Sequence, residues 1–188
     1  MSIAKRITEA IDKLVAADYE AALIPASIAV DATASQVYPT KNNNEAFKDW
    51  LHDNLALITH IGMGGVSIVG NFSFEYSHPD IRTDENGLCS LEQILYHVVR
   101  CGLLHGAKLP STLRFGQPGI TTWEGDTLVL SGGLISGLIA AVVVSPINVG
   151  ETAPDSYGIT VSGRATSLNT LWGQRQALMD IVERKNAT

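Results

Sequence analysis

Arg100 and His105 are the residues of this chain whose types and spacing best fit a reaction. An arginine carries a permanent planar charge that can hold a phosphate bidentately and stabilise negative charge developing in a transition state. A histidine titrates near neutral pH, so it can take a proton from a 2′-hydroxyl or return one to a departing 5′-oxygen. Arg100 could then act as an electrostatic clamp and His105 as an acid or base. His97 lies one helical turn before Arg100, and Cys101 directly follows it; both are supporting candidates. Each also has a plainer reading. His97 fits a core histidine satisfied by a neighbour, Cys101 and Cys89 fit two reduced thiols, and Arg100 fits a helix-end cation or the partner of an acidic residue.

These residues need a helix to carry them. Ser90 and Gln93 have the spacing of a capping box, and Leu91, Ile94, Leu95, Val98 and Cys101 repeat every three or four residues, with Gly106 suited to the helix end. The spacing predicts a helix over residues 91–105. On an ideal helix, five residues turn about 500°, which splays Arg100 and His105 by about 140°, so a shared cleft requires unwinding or a second subunit.

The remainder of the chain reads as mainly α, a bundle of about five to six helices with a small β-hairpin or three-stranded insertion after the central helix. Residues 1–39 read as N-terminal helices, with Pro25 bending or restarting the second. The asparagine-rich segment 39–44 reads as a loop that caps a third helix ending near Gly62. The glycine-rich stretch 62–70 lacks the Lys-Ser or Lys-Thr of a phosphate loop and reads as a connector. Residues 111–131 carry three strand-like runs, and residues 165–186 read as a C-terminal helix with Leu168, Leu171, Trp172, Leu178, Met179 and Val182 on its apolar face. The whole of 1–188 is read as one domain.

Composition narrows the function. A formal charge of −6 excludes a general basic surface for nucleic acid, so RNA contact must use a local patch. With 45% hydrophobic and 17% charged residues, part of the surface is expected to be covered by another subunit, in a homo-oligomer. The uncharged segment 127–150 contains Gly133-x-x-x-Gly137, but Pro146 leaves about 12 apolar residues from Leu134, short of the ~20 a bilayer needs. A buried core helix is expected, with no membrane span. The N-terminus has no secretory-leader pattern, and a cytoplasmic location is expected. His78, Asp80 and Asp84 lack metal-ligand spacing and read as a solvated turn; no metal and no cofactor are expected. Ser131-Gly132-Gly133 forms no serine-hydrolase elbow, and no paired carboxylates suggest glycoside chemistry.

The string YHVVRCGLLHG, near the end of an apolar helix and followed by a turn and a hairpin, resembles the HEPN superfamily, whose defining motif is R-x4-6-H. The resemblance spans residues 40–185 as a helix pattern and Arg100 to Gly106 as a motif. It implies a HEPN-like helical domain whose dimer lines one cleft with two copies of the motif. It also implies metal-independent endoribonuclease activity in defence or stress, with RNA and a cognate antitoxin or other protein as partners. Two alternatives stand beside it: a non-catalytic RNA- or protein-binding module, and a structural oligomerisation protein built on the apolar helix after Leu134.

Overall fold

The computed structural model describes residues 2–103, 108–161 and 163–185. Three helices come first: α1 (Ile3–Val15), α2 (Tyr19–Val37) and α3 (Asn43–Gly62). Each starts where a side-chain oxygen accepts a first-turn backbone N–H: Ser2 from Lys5, Asp18 from Ala21 and Asn42 from Glu45. These bonds satisfy donors that have no partner inside the helix. Pro25 does not restart α2, which runs through it as a single helix. The proline removes one backbone bond, but Ala22, Leu23, Ala26, Ala29 and Val30 are all buried on either side, and that packing holds the helix together.

The centre of the fold is α5 (Gly133–Val144), where every residue except Ser136 is buried. It packs against α1, α2 and α3. Its approach to α3 is backbone to backbone. A Cβ at Gly137 would lie 2.2 Å from the Ile58 carbonyl oxygen, and one at Gly133 would lie 2.3 Å from that of Gly62. The small-residue spacing therefore serves helix contact within the chain. Ser131, 1% exposed, locks the same junction by donating to the Gly62 carbonyl at 2.9 Å. Because the chain's own helices cover α5, its apolar surface is not an oligomer face. Among the described residues, no helix is long and apolar enough to cross a membrane.

Three small sheets decorate this helical core. β1 (Ser73–Phe74) pairs with β2 (Cys89–Ser90), which leads into α4 (Leu91–Gln93) and then a π-helix over Ile94–Arg100. β3 (Leu113–Gly116), β4 (Thr122–Glu124) and β5 (Thr127–Ser131) form a sheet in the order β3-β5-β4, with β3 parallel to β5 and β4 antiparallel to it. The three expected strand runs are present, and the insertion is a mixed sheet.

The expected C-terminal helix over 165–186 is corrected. β6 (Gly158–Val161) and β7 (Arg164–Ser167) form a hairpin, Leu168–Thr170 is a single 3-10 turn, and α6 spans only Arg175–Lys185. Gly173 at φ 71° breaks the helical path. Leu168, Leu171 and Trp172 are still buried, so their apolar spacing reported burial and not helix.

Candidate functional site

The expected capping box forms: Gln93 N–H donates to Ser90 Oγ at 3.3 Å, and Ser90 N–H donates to Gln93 Oε1 at 2.9 Å. Beyond Gln93 the chain does not continue as an ordinary α-helix. The backbone widens to i→i+5 bonding, with Cys101 N–H donating to the Tyr96 carbonyl. Turns of this kind are frequent at functional sites. His97 and Cys101, four residues apart on the widened turn, line one cleft.

Arg100 is directed elsewhere. Its Nε and Nη2 both donate to Asp31 Oδ2 on α2, at 3.0 and 2.7 Å. The two side chains are only 16% and 22% exposed, and the guanidinium also lies 5.2 Å from the centre of the Tyr96 ring. Burial pulls the Arg100 pKa down, but the hydrogen bonds and charge of Asp31, with Cys101 and Tyr96 alongside, outweigh it and leave the pKa raised. The third nitrogen, Nη1, faces Cys101 Sγ at 3.8 Å. Arg100 thus ties the π-helix to α2, and its geometry matches pairing with an acidic neighbour better than a free phosphate clamp. His105, its expected catalytic partner, lies outside the described residues.

The cleft beside the π-helix has a volume of about 480 Å³ and is lined by His78, Asp80, His97, Cys101 and Lys108 over Val98, Leu109 and Pro110. His97 is held below the usual histidine range. Burial is the main cause; Lys48 and His78 add to it, and Asp80 opposes it. His97 is therefore a neutral imidazole at pH 7, able to accept a proton. His78 Nδ1 stands 3.8 Å from Asp80 Oδ2 and accepts from the Asp80 backbone N–H at 3.2 Å. The two thiols differ sharply. Cys89 is 1% exposed, donates to the Tyr76 carbonyl and is pushed up chiefly by burial, whereas Cys101 is half-buried at the cleft wall. Among the described residues, no group of three or more His, Cys, Asp or Glu side chains is arranged to hold a metal ion.

The structure thus joins His97 and Cys101 in the cleft, ties Arg100 to Asp31 outside its lining, and adds three residues that sequence spacing does not group. Turn composition assigns His78 and Asp80 to a solvated loop, and no pattern singles out Lys108. Asp84, the third member of that turn, stays local, where its side chain accepts from the N–H groups of Asn86 and Leu88. In the sequence His97 and Cys101 stand out only through their positions relative to Arg100; His78 and Lys108 reach the cleft from segments with no periodicity.

The sequence model of the Rv1289 family matches residues 2–188. The chain belongs to the Rv1289 family. It is similar to an uncharacterised protein of Mycobacterium tuberculosis, Rv1289, and to one of Mycobacterium bovis, Mb1320. Each is 24% identical over 171 residues, covering 87% of this chain and 80% of the relative. No solved structure matches. The HEPN resemblance is overturned by this membership. R-x4-H is a two-residue motif that composition alone can generate, and the arginine that carried it is committed to Asp31.

Proposed function

We propose that the protein is a ligand-binding module whose cleft beside the π-helix takes a small anionic molecule bearing a phosphoryl or carboxylate group. The observation that carries this reading is the convergence of His78, His97 and Lys108 on one cleft with an apolar floor. A concave, largely apolar site with a few convergent polar groups and a perturbed histidine is the usual form of a small-molecule site. Lys108 supplies charge, while the two imidazoles can supply ring N–H donors. The free thiols of Cys89 and Cys101 fit a reducing, cytoplasmic setting. Self-association of the chain, argued from the low charge content, is part of the same reading and is checked by sedimentation.

Titration with inorganic phosphate, followed through the histidine ring resonances, tests it. Saturable shifts at His78 and His97, weakened in Lys108→Ala and His97→Ala, are the expected result. Undiminished phosphate binding in both variants would sink the reading.

Metal-independent RNA cleavage is the second reading, with its machinery moved off Arg100. One specific observation favours it: two imidazoles and a lysine at one cleft are the groups that deprotonating a 2′-hydroxyl, protonating a 5′-oxygen and stabilising the phosphorane require. RNA incubated with the protein in EDTA should then be cut by wild type and by Arg100→Ala, and left intact by His97→Ala. Intact RNA in all three removes this reading and leaves the binding module.

A further inference from the structure

A second cleft, about 460 Å³, is lined by Glu75, Tyr76, Ser77, Thr112, Trp123, Gly125 and Asp126. Trp123 is the anomaly. The other two tryptophans, Trp50 and Trp172, are 2% and 4% exposed, whereas Trp123 is 43% exposed on β4, a strand whose residues are all exposed. Leaving so large an aromatic at the surface forgoes the burial that normally accounts for its use. Its ring is nevertheless held in place. The Trp123 backbone pairs with Leu128 of β5, and its ring sits 6.5 Å, centre to centre, from that of Tyr76. Tyr76 is itself buried and hydrogen-bonded through its hydroxyl to Thr112 at 3.2 Å.

Charge around the platform is one-sided. Glu124, beside Trp123, is matched by Arg114. Glu75, just past β1, and Asp126, in the β4–β5 turn, are exposed and have no ion-pair partner among the described residues. An electron-rich ring that shares a cleft with two unmatched carboxylates favours a cation that can shed part of its water, since the ring quadrupole and the carboxylates attract the same sign. A hard metal ion prefers several oxygen ligands, and among the described residues no group of three or more His, Cys, Asp or Glu side chains is arranged to hold one.

We propose that this cleft binds an organic cation, an ammonium or guanidinium group, seated against the Trp123 ring between Glu75 and Asp126. The site shares none of the anion cleft's lining residues. Its ligand class is an amine, a quaternary ammonium or an arginine-like side chain.

Tryptophan fluorescence of the intact protein reads the site directly, because Trp50 and Trp172 are buried and ligand contact reaches Trp123 alone. The probes are tetramethylammonium chloride and N-acetyl-arginine amide, with sodium chloride at matched ionic strength and glucose as controls. Saturable change with either cation supports the proposal, and their relative affinities separate a quaternary ammonium from a guanidinium. The Glu75→Gln/Asp126→Asn double variant, both positions being exposed, should fold normally and bind at least fivefold more weakly. Trp123→Leu, followed by calorimetry, should lose binding. The proposal is overturned if neither cation saturates or if sodium chloride gives the same response. It is equally overturned if glucose binds with undiminished affinity in the double variant, which would make the platform a neutral sugar site.

Discussion

Breaking the Asp31–Arg100 pair separates a structural arginine from a functional one. Asp31 Oδ2 receives two N–H donors, at 3.0 and 2.7 Å, from a group less than a quarter exposed. Exposed ion pairs couple by about 0.2–1 kcal/mol, and hydrogen bonds to charged groups contribute about 1.5–3 kcal/mol net. Partial burial places this pair in the upper range, so a cycle of Asp31→Ala, Arg100→Ala and the double variant should give a coupling near ~2 kcal/mol. Each single variant leaves the opposite charge half-buried without its partner, and Asp31→Ala carries the larger cost because the guanidinium cannot neutralise itself. With a urea m-value of about 2 kcal/mol/M, the coupling corresponds to a midpoint displacement of about 1 M. Urea unfolding at pH 7, repeated in about 0.5 M salt, is the assay, and the coupling should persist because screening acts weakly on buried pairs. A coupling below about 0.5 kcal/mol that vanishes with salt would mark a surface contact. Arg100 would then be free for phosphate, and the assignment of the site away from it would fail.

Gly137→Ala should destabilise by about 1–3 kcal/mol despite the higher helix propensity of alanine, because its methyl would sit 2.2 Å from the Ile58 carbonyl oxygen; an unchanged or raised urea midpoint would refute the close packing of α3 on α5. Since the His97 pKa is lowered in the fold, chiefly by burial, the unfolded chain binds a proton that the folded one refuses. Its contribution to stability is complete above the ordinary value of 6.5 and is lost as pH falls from there through the folded pKa. His97→Gln should flatten that part of the stability–pH curve, and an identical slope in wild type and variant would contradict the desolvation. Iodoacetamide should label Cys101 at least tenfold faster than Cys89, read by mass spectrometry, since burial both raises the Cys89 pKa and blocks access. Equal rates would mean that the Cys89 environment opens readily.

Helix starts were legible because they are local. Ser90 and Gln93 close their box across three residues, and Asn42 reaches the Glu45 N–H over the same distance, so the pattern that predicts the bond also contains both partners. The buried character of α5 followed from its uncharged run, and the three strand runs of the insertion followed from their turns. The C-terminal segment departs from its helical pattern because apolar spacing records which side chains are buried; the 3-10 turn at Leu168–Thr170 and the turn at Gly173 satisfy the same burial by another path.

The candidate site was legible only in part, as His97 and Cys101. Whether Arg100 faces a ligand or a carboxylate was decided by Asp31, 69 residues away, and nothing in the spacing of residues 100–105 encodes that choice. The π-helical pitch, the parallel pairing of β3 with β5, and the arrival of His78, Asp80 and Lys108 beside His97 are tertiary in the same sense. By itself the sequence determined what hydrogen bonds across one turn and what must leave water. The tertiary structure decided which distant partner each charged or titratable group meets, because that depends on how α2, the π-helix and the connecting loops pack together and not on any interval along the chain.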